Sequence, residues 1–96
     1  MAIKVFIERE IEPGRELDIH NALIKLRSRA MMAPGYISGE TLRSYDDPHR
    51  YLVVSTWNSV EEWKEWEKSE ERKAIEAEIA PYLKSPSKTS IYLYSP

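Results

Sequence analysis

Hydrophobic and polar residues alternate near both ends of the chain. Ile3, Val5 and Ile7 share one parity in a segment that stops at a Glu-Pro-Gly sequence, which is typical of a turn. Residues 88–94 alternate in the same way, with apolar positions at every second residue. A period of two is typical of a strand that buries one side. The pattern therefore predicts a first strand over residues 3–11 and a last strand over residues 88–94.

The spacing of apolar residues becomes helical after the first strand. Four of them lie four, three and four residues apart: Ile19, Leu23, Leu26 and Ala30. Such spacing places side chains on one face of a helix. We therefore expect a helix that begins near Arg15 and ends near Ala33-Pro34-Gly35.

A second helical region carries two start signals. Ser59 and Glu62 have the S-x-x-E spacing of a capping box. Ser69 is followed by two glutamates, which is typical of another helix N-terminus. The segment from Ser59 to about Ala80 is therefore predicted to form two short helices joined by a bend, with Pro81 ending the second.

The middle of the chain predicts a hairpin. Residues 36–45 and 50–57 are rich in β-formers and are separated by an Asp-Asp-Pro turn. Gly39 inside the first of these strands predicts a bulge or a close backbone approach. The element order is β-α-β-β-α-β, which predicts an α+β fold with a four-stranded antiparallel sheet and two helices on one face.

The strand predicted over residues 50–57 is unusual because both of its faces are apolar. Its sequence from Tyr51 to Trp57 is Tyr-Leu-Val-Val-Ser-Thr-Trp, whereas a sheet with one wet face should alternate cleanly. In a chain of 96 residues that uses both helices on one face, the economical cover for the other face is a second copy. The sequence therefore predicts a homodimer.

Composition narrows the class of protein. A chain of 96 residues with 42% hydrophobic and 31% charged residues is typical of one folded domain spanning residues 1–96. The net charge of −2 gives no reason to expect a nucleic-acid or membrane partner. The chain begins directly with a strand pattern, without a basic segment followed by a long apolar one, which predicts a cytoplasmic location.

The supply of reactive side chains is also limited. The chain has no cysteine, which excludes disulfides, a thiol nucleophile and any cysteine-based metal site. Its two histidines, His20 and His49, are 29 positions apart and show no metal-ligand spacing. We therefore expect no metal site, and we expect His49 to be solvated in its turn.

Several segments together resemble the antibiotic biosynthesis monooxygenase family. The likeness in layout spans residues 3–94, and its specific residues lie between Pro34 and Ser69. They are Pro34-Gly35-Tyr36, Thr41-Leu42-Arg43-Ser44, Asp46-Asp47-Pro48-His49-Arg50-Tyr51 and the W-x-S-x-x-x-x-x-x-W-x-x-S pattern from Trp57 to Ser69. The resemblance implies one ferredoxin-like domain in a dimeric α+β barrel, with a cavity between sheet and helices. It also implies oxidation of a quinol or anthrone-like aromatic by O₂, without a metal or flavin cofactor.

The resemblance also suggests site residues. Trp66 occupies a helix position where family members carry His or Trp, and is expected to stack on the substrate. Asn58 is the candidate for a hydrogen bond to a substrate oxygen, and His20 is the candidate base. Haem degradation is disfavoured, because Glu76 stands where that branch of the family has its iron-ligating His, and Ile7 stands where it has an Asn.

Each of these candidates has a structural alternative. Trp66 is equally compatible with core packing, like Trp57 and Trp63, and His20 with a partly buried, hydrogen-bonded position on its helix. Arg72 is expected in a surface ion pair, with an orientation toward the cavity mouth as the alternative. Four tyrosines are expected to fill the barrel or to donate to a bound oxygen: Tyr36, Tyr51, Tyr92 and Tyr94. The corresponding alternative function is a non-catalytic ligand-binding or stress-response dimer on the same fold.

Overall fold

The sheet and helices follow the predicted order in a computed structural model that describes residues 1–96. The elements are β1 (Ile3–Glu10), α1 (Glu16–Ala30), β2 (Tyr36–Arg43), β3 (Arg50–Trp57), α2 (Val60–Glu67), α3 (Glu70–Ile79), a 3₁₀ turn (Ala80–Tyr82) and β4 (Lys88–Leu93). The strands lie in the order β2-β3-β1-β4, and all neighbours are antiparallel. The predicted ferredoxin-like α+β fold is confirmed, including the division of the second helical region.

Two serines explain that division. The Ser59 hydroxyl accepts a hydrogen bond from the backbone N–H of Glu62 at 3.2 Å and donates one to the Glu62 carboxylate at 3.0 Å. The Ser69 hydroxyl accepts from the N–H of Arg72 at 3.2 Å and donates to the carbonyl of Trp66 at 2.8 Å. Each serine satisfies a donor that a helix start leaves free. Ser69 thus marks the end of α2 and the start of α3.

One face of the sheet is covered by the helices. The side chains of Ile3, Val5 and Ile7 on β1 are at most 4% exposed, as their parity predicts. They pack with apolar residues of β3 and of all three helices, which are Trp57, Ile19, Leu23, Leu26, Ala30, Trp63, Trp66, Ile75 and Ile79. Arg9 has the same parity and is only 2% exposed. The buried side chains are therefore apolar apart from Arg9, Ser55, Thr56 and Arg72.

Two glycines shape the start of β2. Gly35 has φ +89°, and a Cβ there would come within 2.6 Å of the Glu62 side chain, so both its backbone and its space require glycine. The ladder between β2 and β3 shifts register between Tyr36 and Ser38. A Cβ at Gly39 would lie 2.5 Å from the Tyr36 hydroxyl. The bulge predicted at Gly39 thus lies before it, between Tyr36 and Ser38, and the close approach at Gly39 is made by the Tyr36 side chain.

The second face of the sheet carries no helix. Phe6 and Tyr92 pack edge to face there, with ring centroids 5.1 Å apart. Leu52 and Val54 pair with Glu8 and Phe6 of β1, so they lie on this face too. A groove of about 550 Å³ runs across it. We refer to this surface as the open face; the predicted homodimer across it stays a prediction.

The helices are short and amphipathic. None has the length and hydropathy needed to cross a membrane.

Candidate functional site

A cavity of about 50 Å³ lies between the covered face of the sheet and the helices. Its walls come from β1, β2, β3 and the three helices and are mainly apolar. The lining residues are Ile7, Leu23, Leu26, Arg27, Ala30, Tyr36, Gly39, Glu40, Thr41, Val53, Ser55, Trp57, Trp63, Trp66 and Arg72. Arg27, Glu40 and Thr41 are exposed, so the mouth lies where α1 faces the edge strand β2.

Three aromatic rings form a row along the cavity wall. Tyr36 packs edge to face on Trp57, with centroids 5.4 Å apart, and Trp57 does the same with Trp63 at 5.5 Å. The indole N–H of Trp57 donates to the Ser55 hydroxyl at 3.0 Å. The indole N–H of Trp63 is buried and has no hydrogen-bond partner in the protein. The row therefore presents mostly apolar surface and one unpaired donor.

A buried cluster of charges continues the row. The Arg72 guanidinium lies 5.3 Å from the centre of the Trp63 ring, within the range of a cation–π contact. Its Nη2 donates to Oε2 of Glu76 at 3.2 Å. Nη2 of Arg9 donates to both oxygens of the same carboxylate, at 2.8 and 3.2 Å. Glu76 is therefore held between two guanidinium groups.

The charges of this cluster do not balance. Two cations share one carboxylate, and the side chains of Arg9 and Arg72 are only 1% and 10% exposed. Burial lowers the pKa of Arg72 below its ordinary value; Glu76 and, more weakly, Glu67 act against this shift, and the positive charge of Arg9 adds to it. Arginine stays protonated in proteins even so. Two guanidinium groups thus share one directly bonded carboxylate beside the cavity, with Glu67 as a weaker counter-charge for Arg72.

The predicted site residues lie in different places. Trp66 is 7% exposed and lines the cavity. Asn58 is exposed where β3 leads into α2; its backbone N–H donates to the carbonyl of Gly35 at 2.7 Å. His20 is exposed in a groove of about 190 Å³ between α1 and the sheet. The structure does not bring the three side chains together, and their predicted roles stay predictions.

Two outer grooves adjoin the cavity. The His20 groove shares Leu23, Arg27 and Thr41 with it. On another side, a groove of about 510 Å³ shares only Trp66 with the cavity, so the Trp66 indole separates the two spaces. A cavity that holds benzene measures about 150 Å³. An aromatic ring therefore enters this cavity only if a shared wall moves.

The surface position expected of Arg72 is wrong, whereas its alternative, an orientation toward the cavity, agrees with its place in the cavity lining; Arg9 was not predicted as a site residue. The expected surface ion pair of Arg72 is instead a largely buried one, because α3 turns this residue toward Trp63 and Glu76. A signal for Arg9 was present: it shares the parity of Ile3, Val5 and Ile7 and so had to face the core. His49, expected to be solvated, is part-buried, and its Nε2 lies 3.2 Å from Oε1 of Glu16.

Comparisons with known proteins agree with this architecture. The family model described as antibiotic biosynthesis monooxygenase matches residues 2–78. Protein SchA of Streptomyces halstedii is 27% identical over 82 residues, which is 85% of this chain but 22% of SchA. The chain thus spans about a fifth of that relative's length.

Solved structures show the same fold. A conserved protein from Methanosarcina mazei Go1 superposes with a TM-score of 0.90 at 17% identity, covering 96% of this chain and 91% of its own. SnoaB, a cofactor-independent oxygenase from Streptomyces nogalater, superposes with a TM-score of 0.86 at 11% identity, covering 100% of this chain and 96% of its own.

Proposed function

Because the chain belongs to the antibiotic biosynthesis monooxygenase family, we propose that it is a cofactor-independent monooxygenase for an aromatic substrate of the quinol or anthrone type. The observation that carries the proposal is the aromatic-lined cavity with the buried Arg72 guanidinium in its wall. Apolar walls with a few placed polar groups are typical of small-molecule sites.

The proposed chemistry needs no metal or flavin, since the substrate supplies the electrons. Loss of a proton from an anthrone-like ring gives an enolate that can pass electrons to O₂. One oxygen atom then becomes a carbonyl at the former CH₂ carbon, and the other leaves as water with the two hydrogens. The protein has to bind the ring, remove the proton and stabilise the anion.

Each of these tasks has a candidate group. Trp66 would stack on the ring, and Arg72 would stabilise the anion through its positive charge. His20 remains the candidate base, because its groove shares walls with the cavity mouth. Asn58 is the candidate donor to a substrate oxygen, although it lines neither the cavity nor its adjoining grooves.

We also propose that two copies associate through their open faces. The face carries Phe6, Leu52, Val54 and Tyr92, and Tyr92 is 60% exposed in the single chain. An apolar surface of this kind is typical of an interface. The arrangement would leave the cavity and its grooves on the outer side of each copy.

Oxygen uptake tests the proposed activity. Purified protein is supplied with hydroquinones and anthrone-like phenols, and the uncatalysed rate is subtracted. We expect uptake that falls at least about tenfold in Trp66→Ala, and also in His20→Ala and Asn58→Ala if their assigned roles hold. Tyr45→Ala, which alters a side chain that is 99% exposed, is the matched control. No uptake above background with any compound would count against the proposal.

A second function is favoured by one observation. At about 50 Å³, the cavity is largely filled by its own aromatic side chains, as expected of a non-catalytic ligand-binding dimer. Binding of an aromatic compound without oxygen uptake would support that function. Uptake lost in Trp66→Ala would exclude it.

A further inference from the structure

The buried charge cluster has more donors than acceptors. Glu76 is the only carboxylate within ion-pair distance of Arg9 and of Arg72, and Glu67 adds a weaker attraction to Arg72. Nε and Nη1 of Arg9 are buried and make no hydrogen bond in the protein, and the same is true of Nε1 of Trp63. A buried donor without a partner destabilises the folded state. Three such atoms in one small region are not explained by packing alone.

Arg72 lines the cavity and has donors that are not bonded within the protein. Only its Nη2 is bonded within the protein, which leaves Nε and Nη1 available to a ligand, since guanidinium carries five N–H groups. Arg72 and Trp63 both line the cavity. A planar guanidinium beside an aromatic ring suits a flat ligand that carries a negatively charged oxygen group.

The other two members of the cluster fix Arg72. Arg9 binds both oxygens of Glu76, so the carboxylate cannot turn to neutralise Arg72 fully. Arg9 also brings a second positive charge from β1, on the far side of Glu76. The arrangement therefore sets two guanidinium groups against one directly bonded carboxylate, with only a weaker attraction from Glu67. Where water is largely excluded, such an excess of positive charge attracts an anion strongly.

We propose that this corner of the cavity binds the negatively charged oxygen of an aromatic ligand, with Arg72 as its direct partner and the Glu76–Arg9 pair as positioning residues. The inference rests on the proposed function only in locating the ligand inside the cavity. It deepens that function by naming the substrate class: aromatic compounds with a carboxylate or an ionised hydroxyl on the ring.

Calorimetric titration with two matched probes tests the site. One probe is 1-hydroxy-2-naphthoate, which is anionic at neutral pH, and the other is 1-naphthol, which is neutral. A charge-assisted hydrogen bond predicts that the wild-type protein binds the carboxylate about tenfold or more tightly. Equal affinity for the two probes, or no binding of either, would overturn the proposal without any variant.

Variants then assign the preference to Arg72. Arg72→Met keeps the length of the side chain without its charge and should bring the two affinities close to each other. Arg72→Lys keeps the positive charge but loses the planar guanidinium, and should retain part of the preference for the carboxylate. This variant provides the test if Arg72→Met does not fold. The control is Arg29→Met, which removes an exposed arginine 3.9 Å from Glu71. A preference that survives both changes at Arg72 contradicts the assignment.

Oxygen uptake in the same samples separates this proposal from the one on which it rests. Tighter carboxylate binding without uptake of oxygen would support the anion site and count against the monooxygenase. Uptake of oxygen without any preference for the carboxylate would support the monooxygenase and count against the anion site.

Discussion

The two faces of the sheet solve the problem of burial differently. On the covered face, Val5 and Trp57 are at most 1% exposed, and the buried charge of Arg9 is bound to a carboxylate at 2.8 Å. On the open face, Phe6 touches little beyond Tyr92 and the neighbouring strands. The same strands thus pack against helices on one side and have no packing partner within the chain on the other.

Because of this difference, substitutions on one face should affect folding and substitutions on the other should affect association. The covered face draws its partners from the helices of the same chain, so substitutions there should act on the free energy of unfolding. The open face has no partner within the chain, so substitutions there should act mainly on assembly. The cavity lies on the covered side. Substitutions on the covered face should therefore affect it more than substitutions on the open face.

The largest effect is expected on the covered face, at Trp57. Trp57→Ala removes a fully buried ring between Tyr36 and Trp63, and it should lower the free energy of unfolding by about 3–5 kcal/mol. Chemical denaturation measures the change. Tyr45→Ala is the control and should stay within about 0.5 kcal/mol of wild type. A loss at Trp57 as small as that of the control would mean that the aromatic row is not part of the core.

A charge on the open face should break the proposed dimer. Val54→Asp places a carboxylate opposite Phe6, and burying it against a second copy should weaken association at least about a hundredfold. Analytical ultracentrifugation gives the mass, and circular dichroism checks that the chain stays folded. Ile24→Asp, on an α1 side chain that is 53% exposed, is the matched control. If the Val54 variant stays dimeric, the interface lies elsewhere.

The charge cluster should respond less than Trp57 but more than a surface ion pair. Glu76→Gln removes the only anion from between two buried cations and should cost about 2 kcal/mol, below the range for fully buried pairs because this side chain is 22% exposed. Glu78→Gln breaks the exposed pair with Lys25 and should cost between zero and about 1 kcal/mol. If chemical denaturation gives equal losses of unfolding free energy for the two variants, the buried cluster contributes no more to stability than the exposed pair.

The smallest effect is expected at Glu16, away from both faces. Its pKa lies below the ordinary 4.5, chiefly because its own backbone N–H and that of Gly14 donate to the carboxylate, with a smaller contribution from His49. The folded state therefore binds fewer protons than the unfolded state below about pH 4.5, and this stabilising contribution is lost as the pH falls through the folded pKa.

Glu16→Gln should make the acid dependence of the melting temperature shallower. Melting curves recorded between about pH 5 and about pH 3 provide the measurement. An identical slope in wild type and variant would show that the hydrogen bonds to Glu16 are absent in solution.

The fold could be predicted from the sequence because its signals are local. Ser59 and Ser69 mark helix starts through hydrogen bonds that span only three residues. The alternation of Ile3, Val5 and Ile7 is enough to predict which side of β1 is buried. This prediction needs no information from the rest of the chain.

The candidate site could be predicted only in part. Trp66 was placed by a resemblance in motif, and it does line the cavity. The pairing of Arg9 with Glu76 joins residues 67 positions apart, and no short pattern encodes such a contact. The volume of the cavity depends in the same way on how distant side chains pack. Parity alone marks Arg9 as buried, but its partner becomes visible only in three dimensions.

The bulge at the start of β2 bears on how copies of this chain can meet. β2 is an edge strand of the sheet, and an edge strand has unpaired backbone N–H and C=O groups that can pair with a strand of another chain. The register shift between Tyr36 and Ser38 bends that strand, and a bent strand is a poor template for adding another. At the opposite edge, β4 is only six residues long. Both edges thus discourage open-ended fibre growth and leave closed, face-to-face pairing as the easier route to assembly.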